Sequence, residues 1–137
     1  VVVSLFLSVV LGLVLARGRD HAVEEGRPKK LVIGLSLDTL KEERWQGDRD
    51  RFVARCRELG AEVQVQSANG DDSVQMQNIE GLLASGISAL VIVPHDGKAM
   101  AQAVDKAKAM GVPVIAYDRL IRDCDLDLYC TFDVSLR

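Results

Sequence analysis

Aromatic residues are scarce in this sequence: one Trp, two Tyr and three Phe among 137 residues. Burial must therefore come from Val, Leu, Ile and Ala, a palette that suits a buried parallel sheet covered by helices. An excess of one charge is also missing. Lys and Arg number 17 against 20 Asp and Glu, interleaved, for a net charge of −3. Without a basic block, nucleic acid is not an expected partner. Cysteine is limited to Cys56, Cys124 and Cys130, with no C-x-x-C, so zinc and thioredoxin-like chemistry are unsupported and no metal is expected. An odd count leaves at least one thiol free or bridged to another molecule. Cys56 falls on an apolar helix face, whereas Cys124 and Cys130 are the two that could pair. No G-x-G-x-x-G or P-loop follows the first strand pattern, and no G-x-S-x-G surrounds a serine. These absences argue against dinucleotides, nucleoside triphosphates and serine hydrolysis. No cofactor is expected.

One long apolar run is present, from Val1 to Ala16, followed by Arg17 and Arg19. Its length fits the apolar stretch of a secretory signal, roughly 7–15 residues, with Val14-Leu15-Ala16 as a small-residue cleavage site. It is shorter than the roughly 20 residues of a membrane span. Residues 1–16 thus read as a signal peptide or, alternatively, a membrane anchor. Residues 17–30 read as a charged linker and 31–137 as a folded lobe. No Cys follows the run, so the usual bacterial lipid-attachment signal is absent. The expectation is an exported protein, periplasmic or extracellular.

From Leu31 onward a beat repeats. Leu31 to Leu37 is a short apolar run. Leu40 to Leu59 has helical spacing, with Trp45, Phe52, Val53, Cys56 and Leu59 on one face. Glu62 to Gln66 alternates as a strand, and Asp72 to Ser85 is a second helix burying Met76, Ile79, Leu82 and Leu83. Ala89 to Val93 is a continuous apolar strand. Lys98 to Met110 is a third helix, with Met100, Val104 and Ala107 inward. Pro113 to Tyr117 and Asp127 to Phe132 complete five strands. Gly60, Gly86 and Gly111 each end a helix where a left-handed residue is wanted. Thr39-x-x-Glu42 has the form of a capping box, and Asp72-x-x-Gln75 resembles one. Strict strand–helix alternation implies right-handed crossovers and an open parallel α/β sheet with helices on both faces.

Ligands of such sheets bind beyond the carboxyl ends of the strands. The loops there are Ser36 to Thr39, Ser67 to Asp71, Pro94 to Gly97, Asp118 to Asp123 and Asp133 onward. They form a polar rim. Asp118 and Arg119 follow a strand directly, and their acceptor oxygens and planar five-donor fork suit vicinal hydroxyls. Taken alone, the pair also fits a solvated loop. Arg44 and Trp45 open the first helix: Arg44 lies in a charged cluster typical of a solvated surface, and Trp45 falls on the apolar stripe. Asp38 ends the first strand and can cap a helix or accept from a ligand. His95-Asp96 has the look of an acid–base pair, but no nucleophile matches it. Asp96 is the expected cap of the third helix, and no catalytic residue is assigned.

The segments LVIGLSLDTLKEERWQGDRDRF (31–52), QVQSANGDD (64–72), QMQNIEGLLASG (75–86), LVIVPHDG (90–97), VIAYDRLI (114–121) and DLDLYCTFD (125–133) together resemble the xylose-binding group of the periplasmic sugar-binding proteins. The resemblance is collinear from about Leu31 to Asp133. It implies a type I periplasmic-binding lobe with the flavodoxin-like strand order 2-1-3-4-5, part of a two-lobed protein that closes on a monosaccharide. The group's first-lobe sugar contacts fall on Arg44, Trp45, Asp118 and Arg119, with Asp38 a weaker candidate. Two departures stand out. Gly47 replaces a usually larger residue. After Asp133 the group continues with Asn and a helix, whereas this chain ends Val134-Ser135-Leu136-Arg137, which reads as a truncation before the second lobe.

The function so implied is non-covalent capture of D-xylose or a related pentose for the permease of an ABC transporter. The alternative is a membrane-anchored sugar sensor docking on the external domain of a histidine kinase. A sugar-responsive repressor core would require a helix-turn-helix before Leu31, where an apolar run and a linker stand instead. An enzyme on this sheet would require chemistry from His95 or Asp96, and none is expected.

Overall fold

The structure is a computed structural model and describes residues 30–131. The expected signal or anchor segment, residues 17–29 of the linker, Phe132 of the fifth strand and the Asp133 loop lie outside the described residues. The elements are β1 (Leu31–Leu37), α1 (Glu43–Glu58), β2 (Ala61–Ser67), α2 (Asp72–Ala84), β3 (Ala89–Val93), α3 (Ala101–Ala109), β4 (Val114–Tyr117) and β5 (Leu128–Cys130). The five strands form one sheet in the order β2-β1-β3-β4-β5, with every pair parallel. This is the strand order that the resemblance implies.

Alternation along the strands builds two cores. On one face Leu90, Ile92, Val114 and Ala116 meet Ile79, Leu82 and Leu83 of α2 and Ala103, Val104 and Ala107 of α3. On the other face Leu35, Leu37, Val91 and Val93 meet Trp45, with Phe52, Ile115 and Tyr117 packed around them. Neighbouring strand residues therefore serve opposite layers, as the two-residue strand period requires. Gly34 shows how closely α2 and the loop after it approach β1: a Cβ there would lie 2.7 Å from Cδ1 of Ile87 in that loop and 3.3 Å from Cδ1 of Leu82 in α2. Beside α1 the second face stays open as an apolar groove of about 470 Å³, lined among others by Phe52, Ile115, Tyr117 and Leu128.

The helix stops follow the glycines: Gly60, Gly86 and Gly111 have φ of 81°, 80° and 72°, the left-handed conformation that costs glycine least. The helix starts differ from the sequence expectation. Thr39 and Glu42 form no capping box, because Thr39 Oγ1 accepts from Lys41 N at 3.1 Å and Glu42, the residue before α1, makes no side-chain cap. The cap of α2 is Asp71, which accepts from the amides of Ser73 and Val74 at 2.8 and 3.0 Å. This releases Gln75 to turn inward. Asp96, the expected cap of the third helix, caps instead the turn that leads into it, accepting from Lys98 N at 2.8 Å and Ala99 N at 2.7 Å, while α3 itself starts after Met100 with no side-chain cap. Those two bonds hold its carboxyl below the usual range. Leu59, expected on the buried face of α1, is 68% exposed, because the helix ends at Glu58 and the chain turns outward. All three thiols are free; Cys56 is buried and Cys130 exposed.

Candidate functional site

The carboxyl ends of β1, β3 and β4 and the first turn of α1 meet at one rim. The five residues singled out from sequence form a connected cluster there. Arg44 donates from Nη2 to Asp118 Oδ1 at 2.6 Å across 74 residues of chain. Arg119 donates from Nη1 to Asp38 Oδ2 at 2.8 Å and to the Pro94 carbonyl at 3.0 Å. Between them lies the Trp45 ring, 4.5 Å from the Arg44 guanidinium and 5.9 Å from that of Arg119. Both distances are within the range of cation–π attraction.

Each position has a local cause. Trp45 is only 2% exposed and packs on Leu35, Leu37, Val91 and Val93, so the core fixes its ring. The packing role read from helical spacing is thus present, and the ring also faces the two guanidinium groups of the rim. Its indole N–H has no acceptor among the described residues. Arg44, one residue earlier, points outward and is about half exposed. It is held charged more firmly than usual by its hydrogen bond to Asp118, with partial burial opposing.

At Asp118 the backbone reverses. Its φ is +68°, and Arg119 N donates to Tyr117 O at 2.8 Å, the three-residue pattern of a γ-turn with positive φ. That conformation is strained for most residues, and Asp tolerates it better than most. β5 holds it in place. Asp118 N donates to Cys130 O at 2.8 Å, and Asp118 O accepts from the hydroxyls of Tyr129 and Thr131 at 3.2 and 3.3 Å. The turn sends Asp118 toward Arg44 and Arg119 toward Asp38, so two adjacent residues both face the rim.

Asp38 has a buried carboxylate, with a side chain 7% exposed. Its second oxygen, Oδ1, pairs with His95 Nδ1 at 2.8 Å. His95 therefore pairs with Asp38 and not with its sequence neighbour Asp96, whose carboxylate serves the backbone. Both contacts of Arg119 use Nη1, so its Nη2 and Nε donors have no partner among the described residues. The site is rich in fixed donors with carboxylates beside them, the combination that binds hydroxyls by paired donation and acceptance.

Three further residues belong to this arrangement. Asp48 accepts from Arg51 at 2.8 Å and from Tyr117 Oη at 3.2 Å, and lies 3.8 Å from Arg44 Nε. In sequence it was one charge of a helical cluster; the i, i+4 spacing from Arg44 was the available signal. Tyr117 is partly buried, and burial, reinforced by Asp48, raises its hydroxyl pKa. Gln75, whose spacing from Asp72 resembles a capping box, is fully buried. Among the described residues no group of His, Cys, Asp and Glu side chains is placed to hold a metal ion.

The sequence profile of the periplasmic binding protein domain matches residues 33–135. A D-xylose-binding periplasmic protein of Haemophilus influenzae is 52% identical over 105 residues, 77% of this chain and 32% of the relative. One from Escherichia coli is 42% identical over 130 residues, 95% of this chain and 38% of the relative. A carbohydrate transporter solute-binding protein from Chloroflexus aurantiacus, solved in complex with D-glucose, superposes with a TM-score of 0.71 at 43% identity, covering 77% of this chain and 32% of that one. The chain spans about a third of the length of these relatives. With the profile matched over most of its length, the chain belongs to the periplasmic binding protein domain family, a family of solute-binding proteins and not of enzymes.

Proposed function

We propose that this chain is the first lobe of an exported two-lobed protein that captures D-xylose for delivery to the permease of an ABC transporter. One observation carries the reading: Arg44, Asp118, Arg119 and Asp38, distant in sequence, gather around a core-fixed Trp45 at the carboxyl rim of a parallel sheet. The guanidinium groups of Arg44 and Arg119 donate to sugar oxygens, and Asp118 accepts from a hydroxyl. Trp45 walls the cleft. Asp38, buried beneath Arg119, acts chiefly by holding that guanidinium. An epimer with a hydroxyl misplaced leaves buried polar groups unpaired, which makes such a site selective.

The D-xylose assignment draws on the two D-xylose-binding relatives. D-Glucose shares the ring hydroxyl configuration of D-xylose and adds a hydroxymethyl group on C5, so a grip on ring hydroxyls alone admits both. Titration calorimetry on the full-length protein with D-xylose, D-glucose and D-ribose separates these cases. The expected result is a dissociation constant of about a micromolar or tighter for D-xylose, with weaker binding of the other two. Binding of D-ribose with D-xylose ignored would overturn the assignment.

A further inference from the structure

We propose that Gln75, buried out of reach of any ligand, is a positioning residue for the Arg119 guanidinium. The inference rests on the reading of Arg119 as a sugar-binding group. Gln75 is 0% exposed, and both ends of its amide are engaged. Nε2 donates to Val93 O at 2.9 Å and to Ser36 Oγ at 3.2 Å, while Oε1 accepts from His95 N at 2.9 Å. Val93 and His95 flank Pro94, so one side chain clamps the backbone on both sides of the Pro94 carbonyl. That carbonyl is one of the two acceptors of Arg119 Nη1. The other is Asp38, whose free rotation is blocked by His95 Nδ1, and His95 is the residue whose amide Gln75 holds. Both acceptors that aim Arg119 are therefore set by groups attached to Gln75.

Helix geometry alone does not call for this residue. The cap of α2 is supplied by Asp71, and a buried apolar side chain of similar volume would fill the same space. Only the hydrogen bonds require an amide: Met in its place leaves the His95 N–H without its acceptor and takes from the Val93 carbonyl one of its two donors, the other being Asp38 N at 3.0 Å.

The test is a thermodynamic cycle in the full-length protein, using D-xylose calorimetry on the wild type, Gln75→Met, Arg119→Met and the double variant. Gln75→Met is expected to weaken binding about 10- to 100-fold alone, and no more than about twofold once Arg119→Met has removed the group it aims. Equal losses in the two backgrounds would mean a general structural role and overturn the inference. Should Gln75→Met not fold, Gln75→Glu takes its place in the same cycle. It keeps the shape and an acceptor for His95 N–H but lacks the donor to Val93. A wild type that does not bind D-xylose removes the sugar reading itself, an outcome distinct from additive losses in a protein that binds.

Discussion

Arg119→Met is expected to weaken D-xylose binding by the full-length protein on the order of 100-fold or more. The reason is geometric as well as electrostatic. The guanidinium spends one nitrogen on Asp38 and Pro94 and keeps its remaining donors for a ligand. Truncating one member of a hydrogen-bonded, desolvated charged contact costs roughly 2–5 kcal/mol, and about 2.7 kcal/mol already corresponds to 100-fold. The substitution also strips a buried carboxylate of its cation, since the side chain of Asp38 is 7% exposed. Stability should therefore fall as well, by about 1–3 kcal/mol. Arg119→Lys separates the two effects. A single ammonium can return a positive charge to Asp38 but cannot also span Pro94 and the sugar, so stability should recover while affinity does not. Calorimetry and urea unfolding on the same preparations read both quantities. Full recovery of affinity in Arg119→Lys would show that charge alone, without the planar fork, is sufficient.

The second large effect is expected at Gly97. A Cβ there would sit 2.3 Å from the carbonyl oxygen of Leu120. The obstacle is backbone and not the end of a flexible side chain, so the two segments must move apart. They are also hydrogen-bonded: Arg122 N donates to Gly97 O at 3.2 Å. Between these points Ile121, 2% exposed, plugs the core shared by α2 and α3. Gly97→Ala should cost about 1–3 kcal/mol or somewhat more, the range of overpacking that displaces backbone. Because Leu120 follows Asp118 and Arg119 immediately, D-xylose affinity should fall with it. Urea unfolding of the full-length variant measures the first effect, and a variant as stable as the wild type would contradict this account of the loop.

Which features were legible in the sequence follows from the range of the interactions behind them. β3 begins and ends where its apolar run does, because a strand buried on both faces leaves a continuous signal. The glycine stops were legible because a positive φ is a local demand met by one residue type. The rim was legible from topology, since the carboxyl ends of parallel strands lie together. The pairings within it were not. Asp38 meets His95 and Arg119, 57 and 81 residues away, and no local pattern ties such residues to one another. The failures share this origin. Thr39-x-x-Glu42 had the form of a cap, yet the chain after Asp38 is drawn into the rim and α1 starts at Glu43. Gln75 had the spacing of a cap partner for Asp72, but one residue earlier Asp71 does the capping, which frees the amide for the core. Arg44 and Trp45 carried only a weak site signal of their own, their place in the first helical turn past the end of β1, because composition makes one a solvated charge and the other a core ring; the resemblance to a known group supplied the rest. Each of those readings holds in part: Arg44 is half exposed and Trp45 is buried.

A crystal structure of the full-length protein grown with D-xylose tests the site most directly. The guanidinium groups of Arg44 and Arg119 and the carboxylate of Asp118 should lie within hydrogen-bonding distance of ring hydroxyls, with the sugar against Trp45 and Asp38 still bound to Arg119. A pentose seated elsewhere, with these four side chains contacting only one another, would contradict the assignment while leaving the sheet and its family unaffected.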